Sequence, residues 1–337
     1  MTPVDLSIVI VNWNSREFLR ACIGSISRDT CDIRYEVIVV DSGSFDGCEQ
    51  MLEQEFPDVR FIQSQRNIGF ALANNLGARE ARAPVLLFLN PDTEVSAGAI
   101  GKLYAEIEKL GRPGVLGARL ANTDGSLQTS CVQPLPTILN QLFNCDLLLR
   151  AFPKIRLWQS AIRFEGAVSP VPVEAVSGAC MMIRREVFES LGGYSADYFM
   201  YAEDLDLCHR TRAAGLVNYY VPAARIVHHG GGSTRQLSRF AAVMIPESVG
   251  RLLRKTRGEA YSVGYRVALC ASAVGRLLLL GAGFPLALLL RRRSGWKMSL
   301  DKWCAVLSWG LGREGWAQHS IGREQRGRPL GSGSCAD

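Results

Sequence analysis

The chain predicts an α/β fold built on a doubly wound, mostly parallel sheet. Short apolar runs recur at 6–11, 35–40, 59–62 and 85–89. A segment with helical spacing separates each run from the next, and each run stops abruptly at polar residues or glycine. Alternating strands and helices make a parallel sheet with right-handed crossovers, which bring the strand ends to one side.

The elements follow in order. Residues 6–11 read as a buried strand broken at Asn12-Trp13-Asn14-Ser15. Phe18, Leu19, Cys22, Ile23 and Ile26 then give 16–27 a helical stripe. The strand at 35–40 ends at Asp41-Ser42-Gly43-Ser44, and a helix is expected around 47–55. The strand at 59–62 ends before Asn67-Ile68-Gly69, and 70–82 reads as a helix. At 85–89 the run is wholly apolar, as in a strand buried on both faces. Pro91 cannot continue its ladder, so Asp92 is delivered to a strand's carboxyl end, where ligands sit in open α/β sheets. Asn-Pro-Asp is also good turn chemistry. Asn12, Asp41, Asn67 and Asp92 nevertheless follow four successive strands, which points to one site. Prolines interrupt 112–176. The apolar pattern resumes around Ser177-Gly178-Ala179, and 184–191 reads as a short helix closed by Gly192-Gly193.

Two later clusters carry chemistry. Glu203, Asp204 and Asp206 crowd one helical turn behind Phe199-Met200-Tyr201. Acids are favoured at a helix N-terminus by the macrodipole. Desolvation and mutual repulsion also raise a carboxyl pKa, which suits a general base. His228-His229 precede Gly230-Gly231-Gly232-Ser233-Thr234. A histidine there reads as a metal ligand, a phosphate contact or a structural group. Adjacent side chains on a strand point to opposite faces, so at most one of the pair faces a given site. The glycine run suits a flap or backbone N–H donors. It is no Walker loop, lacking a lysine in register.

Among 337 residues, 47% hydrophobic and 21% charged, there is ample core for one large domain or two modest ones. The net charge is +6, but residues 251–330 carry +11 and leave about −5 for the rest. A basic tail on a mildly acidic body suggests an anionic surface as partner. Ten scattered cysteines without C-x-x-C spacing read as buried free thiols in a reducing compartment. The N-terminus has no signal-peptide pattern, so the body is expected in the cytoplasm.

Together the segments resemble the family 2 glycosyltransferases, of the GT-A fold, and within them the rhamnosyltransferase-like branch. The resemblance rests on Ser7 to Asn14, Val39 to Ser44 with Asp46-Gly47, Arg66 to Phe70 with Asn74-Asn75, Leu89 to Asp92, Ser177 to Ala179, Tyr201 to Arg210 and His228 to Gly231. It implies a nucleotide-sugar donor, transfer with inversion, and a divalent metal, Mg²⁺ or Mn²⁺. Asn12, Asn14, Asp41, Gly43, Asn67, Gly69, Asn75, Asn90, Ser177 and Gly178 match nucleotide-sugar-binding positions. Asp92 matches the last carboxylate of the D-x-D metal motif, and His228 the later metal-or-phosphate histidine. Asp204 matches the catalytic base, with Glu203 beside it to orient that base or an acceptor hydroxyl. The first D-x-D position is Asn90, so the site has one carboxylate fewer and the donor diphosphate is expected to complete the metal's shell.

The expected organisation is a glycosyltransferase domain over 1–240, with a donor half at 1–110 and an acceptor half at 111–240. A basic, hydrophobic helical tail at 241–337 follows. The nearly continuous apolar stretch 267–290, interrupted by Arg276 and Pro285 and followed by Arg291 to Arg293, reads as an interfacial or re-entrant helix pair. Trp296, Trp303, Trp309 and Trp316 would lie near lipid head groups. A buried hairpin or an oligomer contact is the other reading of that stretch. The expected activity is transfer of a sugar, rhamnose from dTDP-rhamnose by branch resemblance with UDP- and GDP-sugars as alternatives. The acceptor is a lipid-linked or polysaccharide glycan at the cytoplasmic face of the inner membrane. The alternative is a non-catalytic nucleotide- or glycan-binding relative in a membrane assembly. A homo-oligomer is compatible with the sequence, and no nucleic-acid partner is expected.

Overall fold

The computed structural model describes residues 4–317, apart from 32, 144–150, 153, 154, 156, 158, 159, 231–237 and 290–292. Gly231 to Thr234, Arg291, Arg292 and the chain beyond 317, all singled out by the sequence, lie outside the described residues.

The strands are β1 (Leu6–Asn12), β2 (Tyr35–Asp41), β3 (Arg60–Gln63), β4 (Val85–Leu89), β5 (Thr93–Val95), β6 (Pro113–Ala121), β7 (Val132–Gln133), β8 (Val171–Val173), β9 (Ala175–Val176), β10 (Cys180–Arg184) and β11 (Val217–His228). The main sheet runs β3-β2-β1-β4-β10-β6-β11-β5, with β8 on β11. From β3 to β4 every pairing is parallel. Strand β10 then enters antiparallel between β4 and β6, and β11 lies parallel to β6. Strands β7 and β9 form a separate antiparallel pair.

Every residue of β1 and β4 is buried, as expected of strands covered on both faces. The covering helices are Arg16–Asp29, Cys48–Glu55, Gly69–Glu80 and Ala99–Lys109. In the first, Leu19, Cys22, Ile23 and Ile26 form the buried stripe that the spacing predicts. Gly77 lets the helix Gly69–Glu80 lie close on the sheet, because a Cβ there would come 2.4 Å from Val9 Cγ1.

The C-terminal helices are Ser238–Arg257, Glu259–Leu289 and Arg293–Gly310. Their shared core includes Val243, Leu253, Tyr265, Val306 and Trp309, and it reaches the sheet body at Phe199. This corrects the expected helix pair over 267–290: Glu259–Leu289 is one continuous helix. The guanidinium is instead drawn inward, donating to Leu142 O at 3.0 Å and covering the Trp303 ring at 4.3 Å. Trp309 is not at a head-group level on its own account. It is 4% exposed and donates to Glu247 Oε2 at 2.9 Å. Trp316 stacks on Phe240. The stretch Glu259–Ala282 is long and apolar enough to cross a membrane by length and composition, with mean hydropathy 1.5 and 17% of it buried.

Candidate active site

The carboxyl ends of β1, β2 and β4, the β3–helix turn, the Ser177–Ala179 turn and the start of the helix Glu203–Ala213 surround a cavity of about 510 Å³. Asn67, Gly69, Asn90, Asp92, Ser177, Gly178, Glu203, Asp204 and His228 line it. These nine predicted residues come from five separate stretches of chain.

The remaining predicted residues stand behind the lining or away from it. Asn12 and Asp41 are fully buried at the ends of paired strands. Asn12 Nδ2 donates to Asp41 Oδ1 at 2.8 Å. Burial pushes the Asp41 carboxyl up in pKa. Hydrogen bonds from Ser44, Gln63, the Phe45 N–H and Asn12 outweigh that and hold it below the usual carboxylate range. Gly43 is left-handed at φ +71°, and a Cβ there would fall 2.3 Å from Arg66 C. The glycine therefore permits the close approach of the β2 and β3 turns. Asn75 spends both ends of its amide on Tyr194, at 2.7 and 2.8 Å. Asn14 is exposed and left-handed at φ 51°.

Asn67 Oδ1 accepts from Ser42 Oγ and from the Gly69 N–H. Gly69 sits at φ +79°, and its missing Cβ would lie 2.5 Å from Phe199 O. The Phe70 N–H donates to that same oxygen at 2.8 Å. The turn after β3 is thus docked on the loop that leads to the acidic helix. In that loop Tyr201 and Ala202 both hold left-handed backbone, at φ 69° and 64°. Each such residue costs on the order of 1–3 kcal/mol and marks a tightly determined position. The loop is clamped from behind by Ser248 Oγ, which donates to Met200 O at 2.9 Å.

The three acids of the helix have different surroundings. Asp206 faces inward, paired with Arg210 at 2.7 Å and Lys255 at 3.1 Å. Glu203 is 6% exposed and its Oε2 accepts no hydrogen bond. Burial, then the Asp204 charge, raises its pKa. Asp204 Oδ2 accepts from the Gly178 N–H at 2.9 Å and lies 3.4 Å from Gln133 Nε2. Burial raises the Asp204 pKa, against the hydrogen bond from Gly178. The result is a carboxylate held in one orientation at the cavity wall and more basic than usual, as general-base work requires.

Opposite the strand ends, His228 Nε2 lies 3.3 Å from Asp92 Oδ1. His229 turns the other way and meets Glu94 Oε1 at 2.7 Å, as alternation along β11 demands. The Asn90 Oδ1 atom is buried and accepts no hydrogen bond. Two oxygen donors and an imidazole suit Mn²⁺ or Mg²⁺, so the residues present fit such an ion. A second group, Asp41, Asp46 and Cys48, brings three potential ligand atoms within 4.8 Å of one another. Asn12 Nδ2 points into that group, 3.2 Å from Asp46 Oδ1 and 3.3 Å from Cys48 Sγ. Its N–H groups thus point at the negative charge there, whereas Asp92 and His228 line the cavity.

Residues 7–192 match the family model for glycosyl transferase family 2. The chain belongs to that family. An N-acetylglucosaminyl-diphospho-decaprenol L-rhamnosyltransferase of Mycobacterium tuberculosis is 33% identical over 246 residues, covering 69% of this chain and 78% of the relative. The rhamnosyltransferase WbbL of Escherichia coli K12 is 24% identical, over 74% of this chain and 93% of that one. This family 2 enzyme is therefore rhamnosyltransferase-like. In fold it resembles the mannosyltransferase PcManGT of Pyrobaculum calidifontis, solved with GDP-Man and Mn²⁺. The TM-score is 0.56 at 17% identity, over 93% of this chain and 89% of that one. GalNAc-T7, solved with UDP, GalNAc and Mn²⁺, has TM-score 0.53 at 19% identity, over 67% of this chain and 44% of that one. The α/β architecture is GT-A.

The sequence reading gave no site role to Ser42, Gln133, Ile245 and Val249, which also line the cavity. Ser42 follows a strand end and was within reach of the same logic. Ile245 and Val249 lie on the helix Ser238–Arg257, and nothing local in their sequence marks them.

Proposed function

We propose that this protein is an inverting glycosyltransferase that moves rhamnose from dTDP-rhamnose to a hydroxyl of a lipid-linked or polymeric glycan. Asp204 carries the reading: a desolvated carboxylate, oriented by the Gly178 N–H, stands at the wall of a cavity whose floor is made of strand ends. The acceptor O–H gives its proton to Asp204 as its oxygen bonds to the donor's anomeric carbon. The bond from that carbon to the diphosphate breaks on the opposite face, and nucleoside diphosphate leaves. A single in-line displacement of this kind inverts the centre. Glu203, beside Asp204, orients that base or an acceptor hydroxyl. Asp92 and His228 would hold a divalent cation, whose contribution is to neutralise charge on the leaving diphosphate. The rhamnose donor and the lipid-linked acceptor are suggested by the substrates in the relatives' names.

In this reading residues 1–110 serve the donor and 111–240 the acceptor. Residues 241–337 rest on the cytoplasmic face of the inner membrane as a peripheral or monotopic element. The exposed stripe Val263, Val267, Val274, Leu278 and Leu279 on one helix supports that attachment.

The test is release of nucleoside diphosphate over a panel of dTDP-, UDP- and GDP-sugars, with and without Mn²⁺, followed by anomeric analysis of the product. Asp204→Asn is expected to lower turnover by 10²-fold or more, an order-of-magnitude figure for loss of a general base. Unchanged turnover in Asp204→Asn, or retained anomeric configuration, would overturn the mechanism.

A further inference from the structure

Gln128 lies just beyond the turn that closes β6, and its backbone N–H donates to Leu120 O at 2.9 Å. Its side-chain amide grips His228 at two points. Nε2 donates to the His228 carbonyl oxygen at 2.7 Å, and Oε1 lies 2.9 Å from His228 Nδ1. The first contact fixes which way the amide faces, because a carbonyl oxygen only accepts. The end turned to the ring is then the amide oxygen, which also only accepts. Nδ1 must therefore carry a hydrogen. In the neutral imidazole the lone pair then resides on Nε2, the atom 3.3 Å from Asp92 Oδ1. A lone pair and a carboxylate at that separation repel unless a positive charge lies between them.

We infer that Gln128 is a positioning residue that locks His228 in its Nδ1–H tautomer, so that Nε2 and the Asp92 carboxylate face a divalent cation together. The inference rests on the proposed reading of Asp92 and His228 as cation ligands. Ligating imidazoles generally donate their other N–H to a fixed acceptor, which sets both tautomer and ring angle. Here that acceptor comes from the loop after β6, 100 residues from the histidine. His229 has no counterpart to this clamp among the described residues; its ring meets Glu94 on the opposite face.

Two measurements on the full chain test the assignment. The first is ¹⁵N NMR of the histidine rings without metal, with His228→Asn identifying the resonance. The second is Mn²⁺ binding by EPR, with UDP and with dTDP present. At a pH where the ring is neutral, wild type is expected to hold hydrogen on Nδ1 and none on Nε2 of His228. Gln128→Leu is expected to move the ring to a tautomer mixture and to weaken Mn²⁺ binding roughly 10–100-fold. Gln128→Glu keeps an acceptor oxygen at Nδ1 and is expected to bind within about threefold of wild type. A merely structural role would lower the melting temperature of both variants and leave the tautomer alone. Should Gln128→Leu not fold, the wild-type tautomer and the Gln128→Glu affinity decide the matter. If wild type binds Mn²⁺ no better than Asp92→Ala, the cation reading itself fails and takes this inference with it. If wild type binds but Gln128→Leu matches it, or wild-type His228 carries hydrogen on Nε2, only the role of Gln128 falls.

Discussion

Replacing Glu203 with glutamine separates the cost of the acidic helix from its use. The side chain is 6% exposed, one carboxylate oxygen has no hydrogen bond, and Asp204 is its sequence neighbour. Its pKa in the folded protein is raised above the ordinary 4.5, by burial first and by the Asp204 charge second. The folded state then binds a proton that the unfolded state has released. By linkage, stability is greatest below about pH 4.5 and declines as pH rises until the raised folded value is passed. Within that window the decline is about 1.4 kcal/mol per pH unit for one group. From 4.5 to neutrality it amounts to about 3 kcal/mol if the folded value lies near or above 7. Glutamine has the same shape and no such titration. Urea unfolding of both proteins between pH 4.5 and 7.5 should therefore give a stability difference that grows in favour of Glu203→Gln as pH rises. A constant offset would reflect only the altered hydrogen bonding of the amide. A difference that stays flat with pH, or that favours wild type increasingly toward neutrality, would refute the claim that Glu203 is held as a raised carboxyl.

Other outcomes follow from the same structure. Asp41→Asn removes a carboxylate whose pKa is held low by its donors, despite burial. It should destabilise by about 1–3 kcal/mol at pH 7. That gap should narrow only as pH falls below the ordinary 3.8 and through the lower folded value, where the wild-type carboxyl is at last protonated; urea midpoints at pH 7 and pH 3 check it. Gly43→Ala should destabilise by roughly 2 kcal/mol or more, since its Cβ would lie 2.3 Å from Arg66 C at φ +71°; thermal melting reads this. Leu278 and Leu279 are 70% and 74% exposed. The double change Leu278→Glu/Leu279→Glu should abolish co-flotation with vesicles of anionic lipid and leave turnover on a soluble acceptor unchanged. Undiminished flotation would remove that helix face from the membrane surface.

Local pattern made much of this molecule legible, and non-local pairing hid the rest. The runs at 6–11 and 85–89 are apolar at every position, and both are buried strands. The stripe Leu19, Cys22, Ile23 and Ile26 needs only a period of 3.6 to be read. By contrast, the antiparallel entry of β10 between β4 and β6 depends on strands that meet from distant parts of the chain, as Met181 meets Gly117 and Cys180 meets Leu89, and no window of sequence contains that choice. The same holds for Gln128, whose value lies wholly in its distance from His228. For the tail, composition gave an apolar helix but not its continuity. Arg276 reads as a break until the Leu142 carbonyl and the Trp303 ring are brought to it.

The acidic turn shows why three similar side chains end with three different roles. Asp204 becomes part of the cavity wall because Tyr201 and Ala202 hold left-handed backbone just before the helix, setting the angle at which it begins. That conformation is disfavoured for both residues, so it must be imposed from outside. Three contacts surround it: Phe199 O accepts from the Phe70 N–H, Ser248 holds Met200 O, and Lys255 reaches Asp206. Two of these three come from the C-terminal helix Ser238–Arg257. That helix also lends Ile245 and Val249 to the cavity wall. The tail is therefore part of the site's construction as well as its attachment. Lys255→Met should then disturb the base from a distance, because Asp206 would keep only Arg210 and Tyr198 as partners. Turnover should fall about tenfold while Mn²⁺ affinity, governed by Asp92 and His228, stays unchanged. Equal losses in both would mean that Lys255 serves the fold at large and not the geometry of the acidic turn.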